Sequence, residues 1–399
     1  MPDPLSDAVV LPKKRVAVFL DGTWNTVNDN TNVWRLKSLL APHGRDSLQQ
    51  LSYYSAGVGT TFGERFRGGM FGYGLNDEII RAYEWLIDHY NVGDELFIFG
   101  FSRGAYTARS LSGLISKCGL LTPGAPLSVR QLYARYRRGS AVKTIRELLQ
   151  DAGGQTNLSL EERWILKYSQ PIDIDFLGVW DTVGALGLPF GNLPILGKSD
   201  MQFLNTGIRV SNRFAFQALA IDEHRQAFAP TLWTVDFAKD APPPHHHRTL
   251  SQVEQRWFVG AHANVGGGCE KDTLAQIPLK WMMGKARECS LAFRREVELD
   301  TTGSPPLISD SYSEFMHGAY KALTGGKRYY REIGQDPVPS LDTELRESIN
   351  ETIDGSVFER WRLDEHYRPP NLVDWSCRRR VNLQWVRGSV RADDPSVVV

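Results

Sequence analysis

The stretch ELFIFGFSRGA at Glu95–Ala105 decides the fold of this chain. Its first part, up to Phe101, is an almost continuous apolar run, which predicts a buried strand. A helix pattern then runs over residues 102–117. The pattern G-x-S-x-G occupies residues 100–104, where the strand passes into the helix. In that setting it predicts a nucleophile elbow, a sharp turn that lifts the serine oxygen clear of the sheet.

The elbow makes Ser102 the candidate nucleophile. Gly100 and Gly104 flank it because side chains at these positions would collide with neighbouring backbone. One donor of an oxyanion hole is expected from the backbone amide of Arg103, the residue after the nucleophile. The dipole of the following helix favours the same developing negative charge. The alternative interpretation is a glycine-rich turn that carries an incidental serine.

The second oxyanion donor is predicted in the loop Asp21-Gly22-Thr23, which follows a strand candidate at Lys14–Leu20. Gly22 lets the backbone approach closely, so the amides of Gly22 and Thr23 are the expected donors. Three roles are open to Asp21: holding this loop by hydrogen bonds, positioning Ser102, and binding a cation. The structural role is the favoured one.

A serine nucleophile needs a base and an orienting acid, and in this type of fold the chain order is Ser, then Asp or Glu, then His. Asp181 closes the strand candidate Ile172–Trp180, and His262 follows the strand candidate Arg256–Gly260. Both are therefore predicted to lie near Ser102. A cap or turn role for the aspartate and a buried, satisfied histidine are the structural alternatives. Rival acids and a rival base are Asp175, Asp222 and His224.

Strand and helix signals alternate along the first two-fifths of the chain. Apolar residues at helical spacing over 32–40 and 76–89 separate the strand candidates 14–20, 51–55 and 95–101. This order predicts an α/β fold, an α/β-hydrolase-like and mostly parallel sheet with helices on both faces.

The chain is predicted to form one catalytic domain over residues 14–290 and a helical cap or accessory region over 291–399. Two insertions interrupt the catalytic domain, at 122–170 and 184–205. The first is helical and charged. The second is rich in Gly, Pro and Leu, and is interpreted either as an acyl-facing lid or as ordinary packing. Residues 209–221, which follow it, are interpreted as a helix.

Composition argues against several classes of protein. The 399 residues carry 46 Lys+Arg and 46 Asp+Glu, and this balance argues against nucleic acid as a partner. The N-terminus lacks the apolar core of a signal peptide, and no run of about 18 apolar residues predicts a membrane span. The four cysteines form no CxxC pattern. A cytoplasmic location is expected, and export by a route that reads no cleavable signal stays open.

Two further features have ordinary explanations. GGMFGYG at 68–74 resembles a phosphate-binding loop, but no strand leads directly into it. His245, His246 and His247 are adjacent in a Pro-rich loop, where three such side chains rarely all face one metal ion. Neither a metal nor a cofactor is predicted.

Six motifs, taken in their order, resemble those of a known family. They are LDGTWN (20–25), YSAGVGT (54–60), GDELFIFGFSRGAYTAR (93–109), VWDTVGALG (179–187), ALAIDEHR (218–225) and WFVGAHANVGGG (257–268). A weaker echo, YRPPNL, follows at 367–372. The family is the α/β-hydrolase family that includes the phospholipase effectors of bacterial type VI secretion. The resemblance implies an α/β-hydrolase fold and esterase or phospholipase chemistry with Ser102 as nucleophile.

One position departs from the family pattern. The family commonly has H-x-D-V-G-G-G, and this chain has Asn264 in place of the aspartate. A carboxylate role at this position is therefore not expected here.

The sequence predicts a serine hydrolase that cleaves carboxylic esters of lipid or phospholipid through a Ser-His-Asp triad and an acyl-enzyme. One alternative is metal-assisted hydrolysis by Asp21, Asp181 and His262, with Ser102 only a neighbour. Another is a hydrolase-like scaffold that binds a partner without turnover. The expected partner is an ester or phospholipid substrate, and nucleic acid is not expected. Peripheral contact with a membrane would need a local apolar or basic patch.

Overall fold

The computed structural model describes residues 12–22, 30–57, 71–152, 158–184, 211–236, 248–269, 273–300, 305–334 and 346–399. The strands are β1 (Lys14–Leu20), β2 (Gln49–Ser55), β3 (Glu95–Phe101), β4 (Leu120–Leu121), β5 (Ser169–Gln170), β6 (Ile174–Trp180), β7 (Asn212–Ala220), β8 (Thr234–Asp236), β9 (Val253–Phe258), β10 (Arg346–Ser348), β11 (Glu351–Ile353) and β12 (Val390–Arg391). The helices are α1 (Asn32–Leu39), α2 (Phe71–His89), α3 (Arg103–Cys118), α4 (Val129–Arg137), α5 (Ile145–Ala152), α6 (Leu160–Tyr168), α7 (His262–Gly266), α8 (Gln276–Glu288), α9 (Ser311–Glu314), α10 (Ala319–Leu323), α11 (Gly355–Leu363) and α12 (Pro370–Arg379).

Eight of the described strands form one sheet, in the order β12-β11-β9-β7-β6-β3-β1-β2. Neighbouring strands in this sheet are parallel, apart from β11 and β12, which are antiparallel. The predicted α/β fold with a mostly parallel sheet is therefore confirmed.

Side chains of β1 alternate between two apolar clusters, one on each face of the sheet. Val16 and Val18 pack with residues of α2 and α3, whereas Ala17 and Phe19 pack with residues of α1 and α8. Successive side chains of a strand point to opposite faces, so a strand covered by helices on both faces must be apolar throughout. The same division holds for β3. It explains the continuous apolar run that precedes Ser102.

The predicted helix at 209–221 is wrong, because Asn212–Ala220 form strand β7 in the middle of the sheet. The alanines in this stretch favour a helix locally. Ala215 and Phe216, however, pack into the apolar clusters on opposite faces of the sheet. Burial on both faces overrides the local preference. Strand β7 lies between β6 and β9, the two strands that lead to Asp181 and His262.

The segment after residue 290 contains more than helices. Besides α9–α12 it supplies β11, which pairs with β9, and β12. A third apolar cluster joins these parts, since Trp257 at the end of β9 packs with Phe358 of α11 and Trp375 of α12. The segment predicted as a helical cap or accessory region therefore also contains strands, and two of these extend the central sheet. The position of the domain boundary stays a prediction.

The two predicted insertions differ in how much of them is described. Residues 122–170 hold α4, α5, α6 and β5. Residues 185–205, with the candidate lid, lie outside the described parts of the chain, as do 68–70 of the glycine-rich stretch and the histidines at 245–247. Of the helices that the structure describes, none has both the length and the apolar character needed to cross a bilayer.

Candidate active site

Ser102 lies at the turn between β3 and α3. Its backbone has φ 59° and ψ −120°, a conformation that residues with a Cβ rarely adopt. Such a strained strand-to-helix turn is typical of a nucleophile elbow. The Ser102 amide donates to the Trp180 carbonyl at 3.0 Å, which ties the turn to the end of β6.

Close backbone contacts account for the two glycines of the elbow. A Cβ on Gly100 would meet the Gly104 carbonyl, and a Cβ on Gly104 would meet the Leu20 carbonyl at the end of β1. A change of rotamer could not relieve either contact, because both partners are backbone atoms. The glycines therefore allow α3 to start directly against the sheet.

Three side chains from three strand ends meet at this edge of the sheet. His262, at the start of α7 just after β9, has Nε2 2.8 Å from Ser102 Oγ. Its Nδ1 lies 2.5 Å from Oδ2 of Asp181, which follows β6. Asp181 is fully buried, and His262 and Ser102 are buried at the rim of the sheet. The structure thus brings together the serine, histidine and aspartate that the sequence singles out, in the chain order of an α/β-hydrolase.

Burial and charge set the protonation of the two partners. Burial lowers the pKa of His262 below its ordinary value, and the hydrogen bond to Asp181 opposes this only in part. Burial by itself would raise the pKa of Asp181, but the Arg331 guanidinium and His262 outweigh it, so this pKa is held well below its usual range. At neutral pH the imidazole is therefore neutral and the carboxylate is ionised, which is the state that a general base requires.

Arg331 is the residue of this site that the sequence does not reveal. Its Nη1 donates to Asp181 Oδ1 at 2.6 Å and its Nη2 donates to Asp181 Oδ2 at 3.0 Å. The guanidinium is fully buried. It belongs to the segment interpreted as accessory, 150 residues after Asp181. No strand end, glycine pattern or motif marks it in the sequence.

The rival candidates make other contacts. Asp175 lies near the start of β6, where its carboxylate accepts from the Leu96 amide and from Arg213. Asp222 accepts from the Gly260 amide at 2.7 Å and from Tyr367. The His224 ring lies 3.2 Å from the Tyr329 carbonyl. The contacts that the structure gives these three side chains involve neither Ser102 nor His262.

Asp21 holds its own loop. Its Oδ1 accepts from the Gly22 amide at 2.8 Å, and its Oδ2 accepts from Thr31 Oγ1 at 2.5 Å and from the Tyr54 hydroxyl at 3.0 Å. These bonds agree with the favoured structural role. They also give the Gly22 amide an acceptor within the protein, so this arrangement does not support Gly22 as an oxyanion donor. Thr23 lies outside the described residues.

Arg103 opens α3, directly after Ser102. Its backbone amide therefore lies at the positive end of the dipole of α3, a sixteen-residue helix. A negative charge that develops on an oxygen next to Ser102 would be stabilised there. Arg103 stays the predicted oxyanion donor.

Asn264 has a structural role with which the departure from the family pattern is compatible. Its Oδ1 accepts from the Ala261 amide at 3.1 Å and from the Ser309 amide at 3.0 Å, and its Nδ2 donates to Ser309 Oγ at 3.1 Å. The side chain caps α7 and ties the His262 loop to a later segment. An amide oxygen performs this role as well as a carboxylate would.

Aromatic rings surround the His262 imidazole. The ring centroid of Phe101 lies 4.7 Å from that of His262, and the centroid of Phe228 lies 5.0 Å from it. The ring centroid of Phe315 lies 5.6 Å from that of Phe228. The rings of Phe101, Phe228 and Phe315 are called the aromatic wall below. Both Phe228 and Phe315 are partly exposed. His262 therefore borders on aromatic rings, and the Arg225 guanidinium lies over two of them, 3.6 Å from the Phe228 centroid and 4.8 Å from the Phe315 centroid.

The described residues contain no group of three or more His, Cys, Asp or Glu side chains arranged to hold a metal ion. The carboxylates of the metal-assisted alternative are already engaged. Asp21 binds Thr31 and Tyr54, and Asp181 binds a guanidinium. This arrangement does not favour that alternative.

The site has a serine on a strand-to-helix elbow, at the carboxyl edge of a mostly parallel sheet. This serine is hydrogen-bonded to a histidine, which is hydrogen-bonded to an aspartate. Such an arrangement is an α/β-hydrolase type of site. The sequence model of the catalytic domain of Tle1-like phospholipase effectors of the type VI secretion system matches residues 14–285. The match covers well over half of the chain, which therefore belongs to this family. The family resemblance predicted from the six motifs is confirmed.

The chain is similar to several known proteins. It is 28% identical to an uncharacterized protein of Saccharomyces cerevisiae over 194 residues, which cover 44% of this chain and 27% of that protein. A solved structure of an uncharacterized protein from Pseudomonas aeruginosa has 19% identity and a TM-score of 0.43, and covers 72% of this chain and 47% of that one. The Tle1 effector bound to the VgrG spike of the type 6 secretion system has 18% identity and a TM-score of 0.36, with 65% and 52% covered. The chain thus spans about a quarter of the yeast protein and about half of each structural neighbour.

Proposed function

We propose that this chain is a serine hydrolase that cleaves carboxylic ester bonds of lipids, phospholipids among them, through an acyl-enzyme. The observation that carries the proposal is the continuous pair of hydrogen bonds from Ser102 through His262 to Asp181. Membership of a family of phospholipase effectors supports the lipid substrate. The partly exposed rings of Phe228 and Phe315 support it as well, because an acyl chain needs apolar contacts, and Arg225, which stacks on both rings, would place a cation beside them.

The geometry suits the following reaction. Ser102 Oγ attacks the acyl carbonyl while its proton moves to His262 Nε2, and Asp181 stabilises the imidazolium that forms. The Arg103 amide and the dipole of α3 stabilise the oxyanion. The C–O bond to the alcohol then breaks, and the alcohol leaves with the proton of His262. Water next attacks the acyl-serine and gives its proton to His262, which returns it to Ser102 as the carboxylic acid departs.

The other two hypotheses receive less support. Metal-assisted hydrolysis would need Asp21 and Asp181 to exchange their hydrogen-bond donors for a cation. A scaffold without turnover has no need for a strained serine aligned with a neutral, buried histidine. Synthesis in the cytoplasm followed by export stays part of the proposal, because the matching family model describes effectors of a secretion system.

Labelling with a fluorophosphonate tests the proposal, since this probe reacts with activated serines. We expect one adduct per chain, on the peptide that contains Ser102, and none after unfolding. A Ser116→Ala variant, in the helix α3 that follows Ser102, is the matched control and should label like the unaltered protein. Folded protein without an adduct at Ser102 would overturn the proposal.

A chain-length series of esters, followed by phospholipid vesicles, tests the substrate class. We expect the rate to rise with acyl length until the chain extends beyond the aromatic wall. We also expect release of fatty acid from the vesicles. Turnover of short esters alone would remove lipid from the proposal and leave an esterase.

The pH profile of kcat/KM provides a separate prediction. Burial lowers the pKa of His262, and the base must be neutral to act. Activity should therefore be retained below the ordinary histidine pKa of about 6.5 and be lost only as the pH falls through the lowered value. Initial rates with a soluble ester at low substrate concentration measure the acid limb of the profile, which is the fall in activity at low pH.

Asp222→Asn is the control for that profile. Burial raises the pKa of Asp222 to about 6, and its carboxylate holds the Gly260 amide two residues before His262. Asparagine keeps the acceptor oxygen and removes this titration. An acid limb at or above the ordinary histidine value in both proteins would show that the prediction is wrong.

A further inference from the structure

We propose that Arg331 is a positioning residue of the catalytic machinery, acting through Asp181 from beyond the segment that the family model matches. The inference rests on the proposed function, because it assigns a role within the same triad. It adds a fourth member to the site, which no motif of the sequence contains.

Arg331 holds the triad carboxylate in one orientation. It binds both oxygens of Asp181, at 2.6 and 3.0 Å, and Oδ2 is the oxygen that also faces His262 Nδ1. A bidentate bond of this kind prevents the carboxylate from rotating away from the imidazole. The Ala220 amide, which donates to Asp181 Oδ1 at 3.0 Å, reinforces the same orientation.

The guanidinium is itself fixed. Nη1 also donates to the Ala220 carbonyl at 2.9 Å, and Nη2 to the Phe228 carbonyl at 2.6 Å. Asn371, in the YRPPNL motif, donates to the carbonyl of Arg331 and to that of Ile221, each at 3.0 Å. The late segment is thus tied to the ends of the central strands. These contacts give the YRPPNL motif, which lies far from Ser102 in the sequence, a structural role in holding Arg331.

The charges around His262 form two buried pairs. Asp181 is paired with Arg331, and Glu223 is paired with Arg225 at 2.7 Å. The Glu223 carboxylate also accepts from the His262 amide. When the imidazole is neutral, the two negative and two positive charges of these pairs cancel. Removal of the Arg331 charge would leave a buried carboxylate uncompensated, and that carboxylate would favour the protonated imidazole.

Because of this charge balance, a positioning role and a merely structural role of Arg331 predict different pH profiles. Without the guanidinium, His262 should stay protonated to higher pH, and the acid limb of the reaction should move upward. Loss of packing alone would lower the amount of folded protein and leave the limb in place.

The test compares Arg331→Met, Arg331→Lys and the control Arg328→Met. Arg328 lies in the same segment and pairs with Asp310 at the surface, so its loss removes equal charge away from the triad. The rate of fluorophosphonate labelling at Ser102 is measured against pH in each folded protein. We expect Arg331→Met to label about 10- to 100-fold more slowly with its acid limb at higher pH. Arg331→Lys should keep the limb but label about 10-fold more slowly, because one ammonium cannot replace four directed bonds.

Each outcome decides between the alternatives. An unmoved limb in Arg331→Met, with a rate like that of Arg328→Met, overturns this inference and leaves the proposed function intact. If Arg331→Met fails to fold, Arg331→Lys decides, and labelling at the unaltered rate overturns the inference. Unaltered protein that does not label at Ser102 overturns the proposed function, and this inference falls with it.

Discussion

Replacing Ser102 with alanine is expected to lower ester hydrolysis by about a million-fold. Alanine removes the oxygen that lies 2.8 Å from His262 Nε2, and neither His262 nor Asp181 supplies an equivalent nucleophile. The fold should be retained, because the bond that fixes the elbow is made by the backbone amide of residue 102 with the Trp180 carbonyl. Initial rates with a soluble ester, compared at equal concentrations of folded protein, give the ratio.

Ser116→Ala provides the control, since it makes the same change of side chain further along α3 and should hydrolyse the ester at the unaltered rate. If Ser102→Ala retained more than a few per cent of the activity, the triad mechanism would be wrong. Inhibition of that residual activity by a chelator would then favour metal-assisted hydrolysis.

Asp181→Asn is expected to reduce kcat by about 10,000-fold and also to destabilise the protein by about 3–5 kcal/mol. Both effects have one cause. An asparagine must present its NH2 group either to His262 Nδ1 or to Arg331, and both of these are donors in the present arrangement. The imidazole loses the partner that fixes its tautomer, and the buried guanidinium loses its counter-charge. Kinetics and denaturant unfolding of the same preparation measure the two effects.

Asp175→Asn is the matched control, because it makes the same substitution at the other end of β6. Its carboxylate binds the Leu96 amide and Arg213, and Arg213 is well exposed. We expect hydrolysis within a few-fold of the unaltered protein and a much smaller loss of stability. Equal losses of activity in the two variants would remove Asp181 from its proposed role.

Local sequence was sufficient to predict the elbow and the strand ends. A parallel strand covered on both faces has to be apolar, so β1, β3 and β6 stand out as short apolar runs. The backbone contacts at Gly100 and Gly104 demand glycine, so the elbow has a readable pattern. Residues that follow such strands share one edge of the sheet, which is why Asp181 and His262 could be placed near Ser102.

Features set by distant contacts could not be predicted in this way. β7 resembles a helix because its alanines are judged without the two faces that bury them. Arg331 is one arginine among many in a polar segment, and only the folded chain brings it to Asp181. The bond from the Gly22 amide to Asp21 likewise depends on the conformation of one loop.

Because β11 pairs with β9 but is made much later, the sheet cannot be completed until well after β9 has been synthesised. About 90 residues separate the two strands, and at about 5–20 residues per second a ribosome needs ~5–20 s to make them. Until then β9 has an open outer edge, which invites pairing with other chains. During most of that interval Asp181 also lacks its guanidinium. A nascent chain stopped before residue 331 should therefore be less active than the full chain and prone to aggregate. We expect this strand order to increase the need for chaperones during translation.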